Sequence, residues 1–347
     1  MRKLASIKTI NNIQPIENAD RIELASVGGW GVVVAKNVNH SVGDKVVYCE
    51  IDSFLPIEPE FEFLRKTSYK KMSGGSEGFR LKSIHMRGTL SQGLIIPLQD
   101  AIDIIKRKNG EVDSEMIQLG NDVTELLGIK KYEKPIPPQL EGVMKGDFPS
   151  FLIKTDAERI QNLTDDYSYF NQSEWERTEK LDGTSATFYL HDNIFGVCSR
   201  NIDLEESNTN TYWKVAKELN IEEKLRDYFG MTPVGIQGEI IGEGIQKNIY
   251  GIKGHTIRIF GGVDIITKKQ IVPRFLKILC SHIDLEYVPV IDSNISLSIS
   301  SPSDIKKLIE LADGKSQLNE NTNREGLVYQ SLDGSKKFKT ISNSFLT

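Results

Sequence analysis

Lys180 poses the first chemical question of this chain, within the stretch TEKLDGTSATFYL at 178–190. A lysine two residues before an Asp-Gly pair, here Asp182-Gly183, is either an exposed turn or the covalent centre of a nucleotidyl-transfer enzyme. A KxDG string arises by chance in roughly one chain of this length in fifteen, so its weight rests on the residues downstream of it. Ser199-Arg200-Asn201 ends a strand-like run, Gly238-Glu239 closes VGIQGE, and Glu325-Gly326 opens EGLVYQ. Lys337-Phe338-Lys339 comes last, and its two lysines face one side of a strand because side chains alternate. Each polar group sits at a strand margin between apolar residues that anchor it, the way a rigid scaffold presents reacting groups. The set is chemically coherent: a lysine nucleophile needs acids for a metal and cations for a phosphate.

The elements that must position these groups differ along the chain. Residues 1–98 hold the β-type runs IELASV, WGVVVA, KVVYCEI and GLIIPL, punctuated by VGG, SVGD and RGTLSQG. That spacing predicts a small OB-like β-barrel, an architecture that commonly binds oligonucleotides. Residues 99–145 read as a linker with short helices, AIDIIKRK and VTELLGI, running into the proline-rich KYEKPIPPQLEGVMKGDFPSF. From 146 to 347 strands and helices alternate. WERTEKL, TSATFYL and IFGVCSRN are strand-like, and the DGT and HDN turns between them predict antiparallel neighbours. TYWKVAKELNIEEKLRDYF has helical spacing, and SPSDIKKLIELADG has a Ser-Pro start and a glycine stop. The fold class is α+β, with mostly antiparallel sheets, flanking helices and no internal repeat.

Length and composition bound the rest. The 347 residues suit about two domains, and 26% charged with 39% hydrophobic residues is ordinary globular usage. No apolar run approaches the roughly 20 residues of a membrane span. The N-terminus lacks a continuous apolar stretch, so no signal peptide is expected and the cytoplasm is the expected location. Cys49, Cys198 and Cys280 are far apart and form no CxxC, so neither zinc nor a disulfide framework is expected. Net charge is −5, yet Arg65, Lys66, Lys70, Lys71, Arg80, Lys82 and Arg87 face only Glu77 within 65–87. Tyr69, Phe79 and His85 are interleaved, which reads as a phosphate-binding strip with stacking side chains or as a solvated lysine-rich loop. Gly314-Lys315-Ser316 is no P-loop, because Ile309 stands where that motif needs glycine. GEIIGEG at 238–244 lacks dinucleotide spacing.

The ordered set KxDG, SRN, GE, an aromatic-containing strand, EG and KxK resembles the covalent nucleotidyltransferase superfamily of ligases and capping enzymes. Within it the chain is most similar to ATP-dependent RNA ligases of the Naegleria type, which carry an OB domain before the catalytic domain. FPSFLIKTDAERIQNL (148–163) resembles their segment upstream of the nucleophile, and SKKFKTISNSFL (335–346) resembles their terminal motif. The resemblance implies a 1–98 OB-like RNA-binding domain and a 146–347 nucleotidyltransferase domain of ATP-grasp-like ligase fold. It further implies that no OB domain follows Lys339.

Roles come from the same resemblance. Lys180 attacks the α-phosphorus of ATP to form lysyl-AMP. Asp182, Glu239 and Glu325 surround Mg²⁺ or Mn²⁺, and Glu239 also belongs to the ribose environment. Lys337 and Lys339 neutralise the α-phosphate. Arg200 contacts ribose or the RNA end, and Lys154 and Arg159 contact the ATP phosphates or the RNA 5′-phosphate. The Glu179 backbone reads the adenine amine. Phe260 either stacks on adenine or packs in the core; Gly261, Gly262 and Val263 hold the places nearer the strand end. Arg65, Lys66, Lys70, Lys71 and Arg87 bind RNA. The implied reaction joins a 5′-phosphate to a 3′-OH through lysyl-AMP and RNA-adenylate, at nicks in duplex RNA, in a monomeric enzyme. A DNA ligase or capping enzyme is the alternative inside the superfamily, and a non-catalytic nucleic-acid-binding protein is the alternative outside it.

Overall fold

The structure, a computed structural model, describes residues 3–72, 75–133, 142–154 and 156–346. The chain divides into two compact units, Met1–Ile136 and Pro137–Thr347.

The strands of the first unit are β1 (Ala5–Pro15), β2 (Ile22–Val27), β3 (Trp30–Ala35), β4 (Lys45–Cys49), β5 (Ser53–Leu55), β6 (Tyr69–Lys71), β7 (Glu77–Arg80), β8 (Ser83–Met86), β9 (Thr89–Gln92), β10 (Leu94–Pro97) and β11 (Lys130–Lys131). The main antiparallel sheet runs β10-β4-β1-β2-β3, a second runs β11-β5-β7-β6, and β8–β9 is a separate hairpin. The run Val46-Val47-Tyr48-Cys49 lacks polar alternation because both faces of β4 are buried. Val46 and Tyr48 enter one core with Ile10, Trp30 and Ile95. Val47 and Cys49 enter the other with Ile7, Phe61 and Phe79.

That second core corrects the expected linker. The helix Leu98–Asn109 buries Ala101, Ile104 and Ile105 in it, and Val123, Leu127 and Ile129 join them. Each buried isoleucine contributes roughly 1.5–3 kcal/mol, enough to hold 98–131 on the barrel instead of between domains. VTELLGI is a turn, with Gly128 at φ 69°, and not a helix. Residues 144–147 join the second unit's sheet. The prolines at 135, 137 and 138 lie outside the described residues.

The second unit contains β12 (Met144–Asp147), β13 (Glu158–Arg159), β14 (Glu174–Lys180), β15 (Thr184–His191), β16 (Ile194–Cys198), β17 (Ile202–Leu204), β18 (Val234–Gly242), β19 (His255–Asp264), β20 (Lys269–Gln270), β21 (Val290–Ser296), β22 (Gly326–Ser331) and β23 (Lys337–Ile341). They form a seven-stranded sheet, β12-β17-β16-β15-β18-β19-β20, and a five-stranded sheet, β13-β23-β22-β14-β21. Pairing in both is antiparallel except β13 with β23. The HDN turn makes the expected β15–β16 hairpin, with Asp192 and Asn193 both left-handed at φ 51° and 62°. The DGT turn does not: β14 and β15 lie in different sheets, and the turn carries the chain across. TYWKVAKELNIEEKLRDYF forms two helices, Thr211–Glu218 and Ile221–Phe229, broken at left-handed Asn220. The predicted helix at SPSDIKKLIELADG is Pro302–Glu310, with proline in its first turn. Among the described residues no helix is long and apolar enough to cross a membrane.

Candidate active site

Strand register sorts the candidate residues before any distance is considered. Residues paired across a sheet share a face, and neighbours along a strand alternate. Lys180 pairs with Gly326, Thr178 with Val328, and Glu176 with Gln330. Val328 pairs with Lys339 and Gln330 with Lys337, while Arg159 pairs with Lys339 from the far side. Lys180, Lys337, Lys339 and Arg159 therefore share one face of the five-stranded sheet. The opposite face carries Trp175, Leu327, Tyr329 and Phe338, buried under the helix Pro302–Glu310. Glu179 belongs to that buried face: its side chain is 1% exposed, and one carboxylate oxygen accepts the Gln317 N–H at 2.7 Å. Burial pushes its carboxyl above the usual range. Only its backbone lies along the edge of the site, and its N–H donates to Pro289 O at 2.9 Å. Gly314-Lys315-Ser316 lies in the loop beneath Glu179, with Ser316 3% exposed and its side chain bonded to the Glu179 carboxylate.

The Lys180 ammonium donates to Glu325 Oε2 at 2.5 Å, both side chains being partly buried. The turn after it is tightly packed. A Cβ on Gly183 would lie 2.4 Å from Ile240 O and 2.8 Å from Glu239 Cγ, so only glycine lets the turn settle against β18 there. This contact brings Glu239 of β18 beside the nucleophile turn, and its carboxylate accepts the Gly183 N–H. Burial pushes the Glu239 carboxyl up to about 7; Glu325 and Asp182 add to the rise, and Lys180 and the Gly183 amide oppose it. Three acids and one lysine thus share a small volume. Among the described residues no three His, Cys, Asp or Glu side chains converge closely enough to enclose a metal on their own. The crowding of Asp182 and Glu325 on Glu239 nonetheless suits a hard cation that keeps several waters and uses one or two carboxylates.

Lys337 and Lys339 are perturbed in the opposite sense. Burial alone pushes the Lys337 ammonium down to about 8. Burial, then Lys180 and Arg159, push Lys339 down to about 7, with Arg200 adding and Asp156 opposing. The Lys337 ammonium sits over the Phe260 ring, 5.1 Å from its centroid. Register explains that ring's aim: Gln237 pairs with Gly261 but Gly238 pairs with Ile259, so Phe260 is the extra residue of a β-bulge. It packs only partly buried against Leu181, Tyr250 and Val288. Phe260 is thus neither fully buried core nor at the strand end, and the bulge turns it toward the lysine-bearing sheet.

The upstream segment spans both sheets. Gln237 Nε2 donates to Ile153 O at 2.7 Å, and Lys154 Nζ donates to Asn201 Oδ1 at 3.3 Å. Arg159 then enters the five-stranded sheet beside Lys339. Arg200 forms an exposed ion pair with Asp156 at 2.9 Å.

Sequence reasoning missed the residues that hold the turn. Asp182 N–H donates to the Tyr250 hydroxyl at 2.7 Å, Gln246 Nε2 donates to Gly183 O at 3.0 Å, and the Thr184 and Tyr212 hydroxyls are 2.7 Å apart. The available signal was GEGIQKNIYG directly after the Glu239 strand. Its Gly, Asn and Gln positions suit left-handed backbone, and Gly244, Gln246, Asn248 and Gly251 adopt it. Also missed was Glu176, 1% exposed and bound by Lys277 and by the Tyr287 hydroxyl at 2.7 Å.

The basic strip of the first unit is less charged than its sequence. Arg65 pairs with Glu62 at 2.6 Å, Lys71 with Glu77 at 3.3 Å, and Arg80 with Asp52 at 2.8 Å. Two of those acids lie outside the 65–87 window. Lys66, Lys70, Lys82 and Arg87 are exposed. Phe79 is a core residue at 0% exposure and Tyr69 packs against the same core, so neither offers a free face for stacking; His85 is exposed.

Comparison with known proteins gives a consistent result. An OB-fold domain model matches residues 4–98, and an RNA ligase model matches 173–345. A variant of the Naegleria gruberi RNA ligase solved with AMP and Mn is 38% identical, at TM-score 0.85, covering 99% of this chain and 98% of that one. A lysine variant of the same ligase with ATP and Mn gives TM-score 0.84 at 38% identity, covering 99% and 98%. The ligase with PPi gives 0.84 at 38%, covering 100% and 98%. No sequence among curated proteins matches.

Proposed function

This chain belongs to the RNA ligase family and is an ATP-dependent RNA ligase, and from that premise we propose that it seals 5′-phosphate to 3′-OH ends at RNA nicks through lysyl-AMP and RNA-adenylate. The observation that carries the chemistry is Lys180 Nζ held 2.5 Å from Glu325 on the sheet face that also bears Lys337 and Lys339. The ammonium must lose a proton before its nitrogen can attack, and Glu325 Oε2 is placed to accept it. The freed amine attacks the α-phosphorus of ATP, a P–N bond forms, and the bond to pyrophosphate breaks. Lys337 and Lys339 face the charge that develops on the phosphate. A divalent cation held by one or two of Asp182, Glu239 and Glu325, with water completing its shell, would stabilise charge on the α-phosphate and on the leaving pyrophosphate.

Phe260 offers its ring to adenine, and the Glu179 backbone lies at the edge where the base amine would be read. Lys154, Arg159 and Arg200 line the approach for the RNA 5′-phosphate, which next takes AMP from Lys180. The 3′-OH then attacks the activated phosphorus, AMP leaves and the phosphodiester is sealed. Lys66, Lys70 and Arg87 of the first unit would contact the RNA backbone, with Arg65 and Lys71 contributing less because acids already neutralise them.

The test uses α-labelled ATP with Mg²⁺ or Mn²⁺ and a denaturing gel. Wild type should give one labelled band and Lys180→Ala none. No band from wild type, or equal bands, would sink the reading. Matched nicked duplexes and single strands, with RNA or DNA on each side, then test the substrate; preference for single-strand ends would refute the nick assignment.

A further inference from the structure

We propose that Tyr250 is a positioning residue for the adenylylation step, setting the Asp182-Gly183 peptide and through it the aim of Lys180 and Asp182. This rests on the reading of Lys180 as the nucleophile. The Tyr250 hydroxyl accepts the Asp182 N–H at 2.7 Å. Its ring is 6% exposed and packs with Leu181, Ile241 and Val288. One side chain therefore holds both residues that come after the nucleophile, Leu181 by packing and Asp182 by its amide.

Tyr250 is itself fixed from several directions. It lies in the segment 243–254, closed by Glu243 N–H donating to Gly254 O at 2.9 Å. Within that segment Asn248 Nδ2 donates to Ile252 O at 3.0 Å, and Ile252 N–H donates to Asn248 Oδ1 at 3.2 Å. Asn319 Nδ2 anchors the segment from outside by donating to Ile249 O at 2.9 Å. A rigid closed loop therefore presents the hydroxyl, and it comes directly after the strand that carries Glu239. Loss of the hydroxyl removes the acceptor for the Asp182 amide while leaving the ring to fill its place.

The experiment uses full-length Tyr250→Phe and two single-turnover assays. Lysyl-AMP formation from α-labelled ATP should slow by roughly 10- to 100-fold, the scale of loss from displacing a reacting group by about 1 Å. Half-saturating ATP should stay within about twofold, because the residue sets attack geometry and not nucleotide affinity. Sealing of pre-adenylylated RNA bypasses the lysine and should stay within about threefold. A wild-type rate of lysyl-AMP formation overturns the proposal. So does an equal loss in both assays, or a rise in half-saturation alone. If Tyr250→Phe shows no cooperative thermal transition, Leu181→Ala takes its place: it loosens the same contact from the turn side and should show the same selective loss, and a wild-type rate there overturns the proposal. Failure of wild type to label at all would instead refute the ligase chemistry, a separate outcome.

Discussion

Nucleotide binding should draw protons from solvent onto Lys337 and Lys339. In the free protein these ammonium groups titrate at about 8 and about 7, displaced from the ordinary lysine value chiefly by burial. At pH 8, Lys339 is then ~10% protonated and Lys337 ~50%, so together they lack about 1.4 protons. A bound triphosphate supplies the opposite charge that favours the ammonium form and returns both toward full protonation. Expected uptake is therefore about 1.4 protons per nucleotide at pH 8, falling to about 0.1 at pH 6, where both lysines are already charged. Uptake on binding means that affinity weakens as pH rises through this window.

The assay is isothermal titration calorimetry of wild type with a non-hydrolysable ATP analogue blocked between the α- and β-phosphates. Heats measured in buffers of different ionisation enthalpy give the proton count as a slope. Lys339→Met should remove about 0.9 of a proton at pH 8. An uptake below about 0.2 at pH 8, or no change between pH 6 and pH 8, would refute the reasoning that these lysines are held uncharged until phosphate arrives.

Three further outcomes are expected. Glu239, raised to about 7, destabilises the folded protein increasingly as pH rises from its unfolded value near 4.3 through 7. Glu239→Gln should therefore raise stability by about 1–3 kcal/mol at pH 8 while abolishing adenylylation; a lower Tm than wild type at that pH contradicts this. Gly183→Ala should cost about 2–4 kcal/mol in urea unfolding, because the new methyl meets the Ile240 carbonyl, which cannot rotate away. A loss under about 1 kcal/mol would mean the turn is not locked against β18 there. Replacing Lys70 and Arg87 with glutamine should lower the salt slope of RNA binding by about 1.5, whereas replacing the ion-paired Lys71 and Arg80 should change it by under about 0.5. Equal slopes for the two double variants would remove the distinction.

What could be read from sequence was whatever depends on local pattern. Lys337 and Lys339 share a face because two-residue alternation is a property of any strand, and β23 obeys it. The DGT turn shows where local reading stops. A sharp turn between two strand-like runs reads as a hairpin, and the same three residues here cross between sheets. What decides is the close approach of Ile240 to Gly183, a contact between residues far apart in sequence. Phe260 shows the same limit from another side. Its usefulness depends on a bulge opposite Gln237 and Gly238, and an unpaired residue leaves no mark in strand propensity. The linker failed because the apolar residues of Leu98–Asn109 find their partners in β1, β4 and β7, about 20–100 positions earlier. In the basic strip, Glu62 and Asp52 neutralise arginines that look unopposed in the 65–87 window.

The two halves of the site carry complementary electrostatic faults. On one side burial, then Glu325 and Asp182, burden Glu239, and Lys180 and the Gly183 amide oppose them. On the other, Lys337 and Lys339 are buried in surroundings that disfavour their charge. Neither fault can be relieved by the other, because the acids gather at the turn, within β18 and just before β22 while the lysines stand along β23. A triphosphate alone would satisfy the lysines but bring more negative charge to the acids. A divalent cation alone would satisfy the acids but add repulsion on Lys180. The pair together corrects both, so nucleotide and cation should bind with positive coupling. Such coupling is reciprocal: each should raise the affinity of the other by the same factor. In this arrangement Glu325 is the pivot. It neutralises Lys180 in the free protein, and a cation drawn to Asp182 and Glu239 would leave it free to take the lysine proton.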